Sequence, residues 1–135
     1  MKNDQLFYVG QKAFIEKDGK VLVLFLPNGM LDFPGGKLQE GEVDLDLAFK
    51  REVKEETGLD MEIGRPFYRW FFEINKEYPK AGEKVFLVGF NCKYLSGEIT
   101  ISNEHKGFKW VDRGNYIDID DKGKNYQALE AYFNS

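Results

Sequence analysis

Hydrophobic and polar positions repeat with two different periods along this chain, and the changes of period mark its elements. Leu6 to Ile15 and Lys20 to Leu26 are apolar-rich runs separated by Glu16-Lys17-Asp18-Gly19, which reads as two strands joined by a tight turn. Val21 to Leu26 is apolar at every position, the pattern of a strand covered on both faces. Pro27-Asn28-Gly29 ends it, and Leu31-Asp32-Phe33-Pro34 leads into a glycine-rich stretch. The period then lengthens to that of a helix, which starts at Asp44 or Asp46 as N-cap and stops at Gly58. Met61-Glu62-Ile63 is a short extended piece, broken by Gly64-Arg65-Pro66. Phe67 to Ile74 reads as a strand whose partner is Lys84 to Tyr94, across a polar loop from Asn75 to Glu83. Further strands are predicted at Glu98 to Ile101 and Gly107 to Asp112, and a helix at Tyr126 to Phe133 with Leu129, Tyr132 and Phe133 a turn apart. Strands around an inner helix, with a second helix at the end, make a mixed α/β or α+β chain.

The inner helix carries the chemistry. Stepping by about 100° per residue puts Leu45, Ala48, Phe49 and Val53 on one broad face, with Lys50, Arg51 and Lys54 toward the other. Glu52 and Glu56 fall inside the apolar arc and Glu55 at its edge, where an ordinary amphipathic helix has no acids. The spacing i, i+3, i+4 brings the three carboxylates toward one patch. Charges at the margin of a core cost several kcal/mol per ion unless paired or bound to a cation. Clustered oxygen donors suit Mg²⁺ or Mn²⁺, and the lack of a neighbouring His or Cys argues against zinc. The other reading is a solvated surface helix laced with Glu–Lys pairs, and periodicity alone leaves both open.

Composition narrows the field. A chain of 135 residues has room for one domain with a proper core, so 1–135 is expected to be a single domain. Apolar residues at 42% and aromatics at 16% fit a globular protein and exclude a disordered one. A net charge of −4 leaves no basic stripe for long nucleic acid, and means that anionic phosphates need a cation in order to bind. The single Cys92 excludes an internal disulfide and reads as a small buried hydrophobe in a reducing, cytoplasmic setting. The longest apolar run is too short to span a membrane, and no signal peptide is visible.

The stretch from Gly36 to Leu59 is similar to the signature of the Nudix hydrolases, G-x5-E-x7-R-E-U-x-E-E-x-G-U with U aliphatic. Gly36 matches the first glycine and Glu42 the first glutamate. Arg51-Glu52-Val53, Glu55-Glu56 and Gly58-Leu59 supply the second half. One departure is that eight residues, Val43 to Lys50, separate Glu42 from Arg51 where the pattern has seven, which puts the role of Glu42 in question. The resemblance implies a Nudix fold, an α/β/α sandwich with a mixed central sheet and the signature as loop–helix–loop. It implies hydrolysis of a nucleoside diphosphate linked to another group X, with Mg²⁺ or Mn²⁺ as cofactor and a small nucleotide as partner. It further implies Glu52, Glu55, Glu56 and the Gly36 carbonyl as metal ligands, with Arg51 holding a glutamate in place. Homodimers are common among relatives, so a homodimer is a further expectation.

For the general base, members of the family use a signature glutamate or an acid from a later loop; Glu104, before the GFKWV strand, is the candidate for the latter, as base or as extra ligand. His105 is read as a bystander. Glu73, Glu77 and Glu83 are fallback acids, and Lys37 reads as a solvated loop lysine. Phe7, Tyr8, Trp70 and Phe72 are aromatics that strands could place beside a cleft, where they would stack on a base. Pro66, Pro79, Tyr68 and Tyr78 identify no subgroup. The short chain points toward small nucleoside triphosphates. The alternative is a non-catalytic Nudix-fold module that binds a nucleotide or regulates a partner, for which the longer spacer is the one hint.

Overall fold

The computed structural model describes residues 2–74 and 83–135. Among these, the strands are β1 (Tyr8–Lys17), β2 (Lys20–Phe25), β3 (Leu31–Asp32), β4 (Gly35–Lys37), β5 (Asp60–Glu73), β6 (Lys84–Ser96) and β7 (Gly107–Val111). Helix α1 (Leu45–Thr57) follows β4, and α2 (Lys124–Phe133) closes the chain after a 3₁₀ turn at Tyr116–Asp118. All seven strands join one mixed sheet of order β3-β2-β1-β6-β5, with β4 paired to β1 and β7 to β2.

The predicted hairpin forms at its turn and then opens. Asp18 and Gly19 take φ of 54° and 80°, as a two-residue turn compatible with strand twist requires. Beyond the turn, β1 and β2 pair only at Glu16↔Val21 and Lys17↔Lys20. β1 leaves to run parallel to β6, from Tyr8↔Val85 to Glu16↔Lys93, and antiparallel to β4 at Gly10, Gln11 and Lys12. β2 runs antiparallel to β7, from Val21↔Val111 to Phe25↔Gly107. The predicted hairpin is therefore present only next to its turn, and the sheet forks there. Close approach of β4 holds the fork, because a Cβ on Gly35, at φ 124°, would lie 2.0 Å from the Gln11 carbonyl oxygen.

β2 is covered on both faces, as its unbroken apolar run predicts. Val21 and Val23 join Phe14, Phe33, Trp70 and Leu129 in the core under α2. Leu22 and Leu24 join Ala13, Ile15, Phe49 and Val53 in the core under α1. Alternation with period two lets one strand feed two layers.

Helix α1 has the predicted ends. The Asp44 carboxylate accepts the Leu47 N–H at 3.0 Å, and Gly58 takes the left-handed conformation at φ 78°. Ala48, Phe49 and Val53 are buried, but Leu45 is exposed, a correction to its place on the core face. It begins the helix, before the axis has brought that face onto the sheet.

Two other strand expectations change. The pieces at Met61 and Phe67 are one long strand, β5, whose ladder with β6 shifts register between Ile63 and Pro66 and between Pro66 and Tyr68; the glycine and proline are absorbed as bulges. Glu98 to Ile101 is irregular. Its backbone serves the end of α1: Thr100 N–H donates to the Thr57 carbonyl at 2.9 Å and Ser102 N–H to the Glu56 carbonyl at 3.0 Å, satisfying acceptors that a helix terminus leaves open.

Candidate metal and catalytic site

Glu52 and Glu56 of α1 face the fork and are half-buried. The Glu56 Oε1 atom accepts the Gly35 N–H at 2.8 Å. Glu52 lies against Gly36 so closely that a Cβ there would come within 1.9 Å of its Oε2. The two glycines of β4 thus admit the two inward carboxylates, and any side chain at Gly36 would displace one of them.

Three residues from separate segments complete the cluster. Lys12 Nζ, on β1, donates to Asp32 Oδ1 at 3.1 Å, to the Phe33 carbonyl at 3.2 Å and to the Gly35 carbonyl at 3.4 Å. Asp32, on β3, meets His105 Nε2 at 2.8 Å through its other oxygen. His105 is 6% exposed. Its Nδ1 stands 4.0 Å from Glu56 Oε2 and has no hydrogen-bond partner, and a ring nitrogen of His105 and carboxylate oxygens of Glu56 and Glu104 lie within 4.8 Å of one another.

The electrostatics divide these acids. Burial raises Asp32, but the Lys12 cation and the His105 hydrogen bond outweigh it and hold the carboxyl at about 2. Burial alone would lower Lys12; the charges of Asp32 and then Glu56 turn the net shift upward. Glu56 is pushed up to about 7, chiefly by burial, against the pull of Lys12 and the Gly35 N–H. Glu52 is also raised, by burial first and then by the charge of Glu42. His105 is raised by its hydrogen bond to Asp32. Lys12 is engaged by Asp32 and two carbonyls, so Glu52 and Glu56 keep a surplus of negative charge in a poorly solvated place. Such a surplus, with an unpartnered imidazole nitrogen beside it, fits a bound cation.

The outer side of α1 is different. Glu55 points to solvent and accepts from Arg51 Nη1 at 2.9 Å; Arg51 Nη2 donates to Glu42 Oε2 at 2.6 Å. Glu42 also accepts the Gln39 N–H at 2.6 Å, and that bond, followed by Arg51, lowers its pKa. The extra residue of the spacer is absorbed before the helix, where Val43 is 92% exposed. The three signature acids therefore do not share one patch here: two point inward, and Glu55 is turned away by Arg51.

Glu104 is exposed at the edge of the cluster, so the predicted later acid does reach the inner ones. His105 is no bystander: it is wedged between Asp32 and Glu56. Glu73 is exposed at the end of β5, and Glu83 hydrogen-bonds the Tyr8 hydroxyl. Glu77, Tyr78 and Pro79 lie outside the described residues. Lys37 stands over the Tyr8 ring at 5.2 Å. Trp70 is core, its indole N–H held by Asn125 at 2.9 Å. An open cleft of about 630 Å³ lies along β5 and β6, lined by Pro66, Phe67, Tyr68, Arg69, Phe86 and Val88, and none of the signature acids reaches it. Sequence reasoning missed Lys12 and Asp32. The available signal was a lysine inside the otherwise apolar run Lys12 to Ile15 and an acid directly before the glycine loop.

Comparison with known proteins places this geometry. The family model described as NUDIX domain matches residues 11–132. A MutT protein from Methanosarcina mazei superposes with a TM-score of 0.79 at 24% identity, covering 98% of this chain and 96% of that one. A MutT NUDIX hydrolase from Burkholderia pseudomallei gives 0.73 at 22% identity, with 97% and 100% covered. The E. coli dihydroneopterin triphosphate pyrophosphohydrolase gives 0.71 at 24% identity, with 96% and 98% covered. At such identities the superpositions speak for the fold. No curated protein matches the chain in sequence.

Proposed function

The chain belongs to the Nudix family of pyrophosphohydrolases, and we propose that it cleaves the pyrophosphate linkage of a nucleoside diphosphate joined to a group X, a small nucleoside triphosphate among them, with Mg²⁺ or Mn²⁺. The observation that carries this reading is the pair Glu52 and Glu56, held half-buried against the β4 glycines with too little positive charge to balance them. In this reading Glu52, Glu56 and the Gly36 carbonyl hold the cation, Glu55 joins them by leaving Arg51 and turning inward, and Glu104 adds a base or a further ligand. Arg51 is a positioning residue: its two hydrogen bonds fix Glu42 and hold Glu55 until it turns, and it touches no reacting atom. A bound divalent cation supplies neutralisation of the polyphosphate charge and a lowered pKa for water. The chain's own part is to hold the carboxylates in a poorly solvated patch, where their attraction for a cation is least screened. We take 1–135 as one domain acting on small nucleotides, with no role for long nucleic acid; a cytoplasmic location and a homodimer complete the proposal. No helix among the described residues is long and apolar enough to cross a membrane.

The non-catalytic alternative rested on the eight-residue spacer. That extra residue falls in an exposed stretch and leaves Glu52, Glu55 and Glu56 in register on α1. The test is release of phosphate or nucleoside monophosphate from a nucleotide panel, with and without metal, for the wild type, Glu55→Gln and Glu56→Gln. We expect metal-dependent turnover that falls about 100-fold or more in Glu56→Gln. No turnover on any substrate, or turnover indifferent to both substitutions, overturns the proposal.

A further inference from the structure

Asp32 fixes the tautomer of His105. A carboxylate accepts only, so the 2.8 Å contact requires a proton on Nε2, and the lone pair of the neutral ring then lies on Nδ1. That nitrogen is buried, has no hydrogen-bond partner and stands 4.0 Å from Glu56, and Glu104 belongs to the same group of potential ligands. Among the described residues, the buried side-chain polar atoms without a partner are this one and Ser102 Oγ, on the same short segment before β7. The 4.0 Å to Glu56 Oε2 is too long for a hydrogen bond. Two donors on one ion stand roughly 3 to 4.4 Å apart when each bond is about 2.0–2.2 Å, so these two atoms fit one ion at a wide ligand–metal–ligand angle. An imidazole that gives its other N–H to a carboxylate is the arrangement proteins use to orient a metal-binding histidine and raise its basicity.

We infer that His105 Nδ1, with Glu56 and Glu104, forms a mixed nitrogen and oxygen position for a first-row transition ion such as Mn²⁺, with Asp32 as the positioning residue behind the imidazole. This rests on the reading that the inner acids hold a divalent cation, and adds a ligand and a preference to it. Mg²⁺ takes an almost exclusively oxygen shell, whereas affinity for a site with an imidazole nitrogen rises along the first-row series that begins at Mn²⁺, so His105 strengthens binding of Mn²⁺ more than that of Mg²⁺.

The chain has one histidine, which makes the test unambiguous if the protein carries no histidine tag. Mn²⁺ is added to metal-free protein, binding is followed by the loss of the free-ion EPR signal, and the bound ion is examined by electron spin-echo envelope modulation. Imidazole ¹⁴N modulation is expected in the wild type and not in His105→Gln, whose Mn²⁺ affinity should fall about tenfold and whose Mg²⁺ affinity should fall less. Asp32→Asn should weaken Mn²⁺ binding about tenfold and keep the modulation. Bound Mn²⁺ without imidazole modulation, or modulation that persists in His105→Gln, overturns the inference and leaves the hydrolase reading standing. Absence of Mn²⁺ binding overturns both. The wild-type spectrum decides the question even if a variant fails to fold.

Discussion

The two sides of α1 carry similar residues and solve opposite problems. On the outer side Arg51 spans two acids, Glu55 in water and Glu42 largely covered beside the loop, so one cation is shared by both. On the inner side Glu52 and Glu56 meet Lys12, Asp32 and His105 under the sheet's fork, and the cation present is already committed to Asp32 and to loop carbonyls. Exposed pairs contribute little because water screens them. Poorly solvated ones are costly when incomplete, and incompleteness here is what a cation would remedy. The comparison teaches that the signature divides: Arg51 ties Glu42 and Glu55 together on one side, and Glu52 and Glu56 are left short of positive charge on the other.

Breaking the inner side should have the largest effect. Lys12→Met leaves Asp32 buried without its cation, and we expect a loss of about 3–5 kcal/mol in urea unfolding; a loss no greater than that for an exposed pair would mean that the inner cluster is as well solvated as the outer one. Acid unfolding gives the next effect. Asp32 is held at about 2, below its ordinary 3.8, so its stabilisation is fully present above 3.8 and is lost as pH falls through about 2. That component is worth roughly 2 kcal/mol. It should be missing from the acid limb of Asp32→Asn, and an unchanged limb would contradict the pairing with Lys12. The outer side gives the smallest effect: Arg51→Gln should shift the melting temperature by no more than about 4 °C, and a drop of 10 °C or more would show that the two sides are not distinct.

What could be read from the chain follows from how local each feature is. The caps of α1 at Asp44 and Gly58, the two-sided burial of β2 and the pairing of β5 with β6 are written in contiguous stretches, and the structure has them. The inward turn of Glu52 and Glu56 followed from helical period alone. The fork was not legible, since a tight turn fixes only the first pairs of a hairpin and the remainder is decided by competition with β4, β6 and β7. Nor was the meeting of Lys12, Asp32 and His105, which lie far apart in sequence and share no period. The exposure of Glu55 depends on a long arginine reaching Glu42 across the loop, a choice no spacing records. The apolar alternation at Glu98 to Ile101 resembled a strand; what pattern could not supply was that N–H groups of Thr100 and Ser102 serve the end of α1 instead of a sheet.

The central claim is that the inner carboxylates are where the cation sits. Crystals of the metal-free protein soaked in Mn²⁺ and measured for anomalous scattering test it directly. The account predicts a strong manganese peak bonded to Glu56 and to at least one of Glu52 and Glu104. Electron density in which Glu52 and Glu56 have no ion beside them, or a peak confined to Glu42 and Glu55 on the Arg51 side, would contradict it.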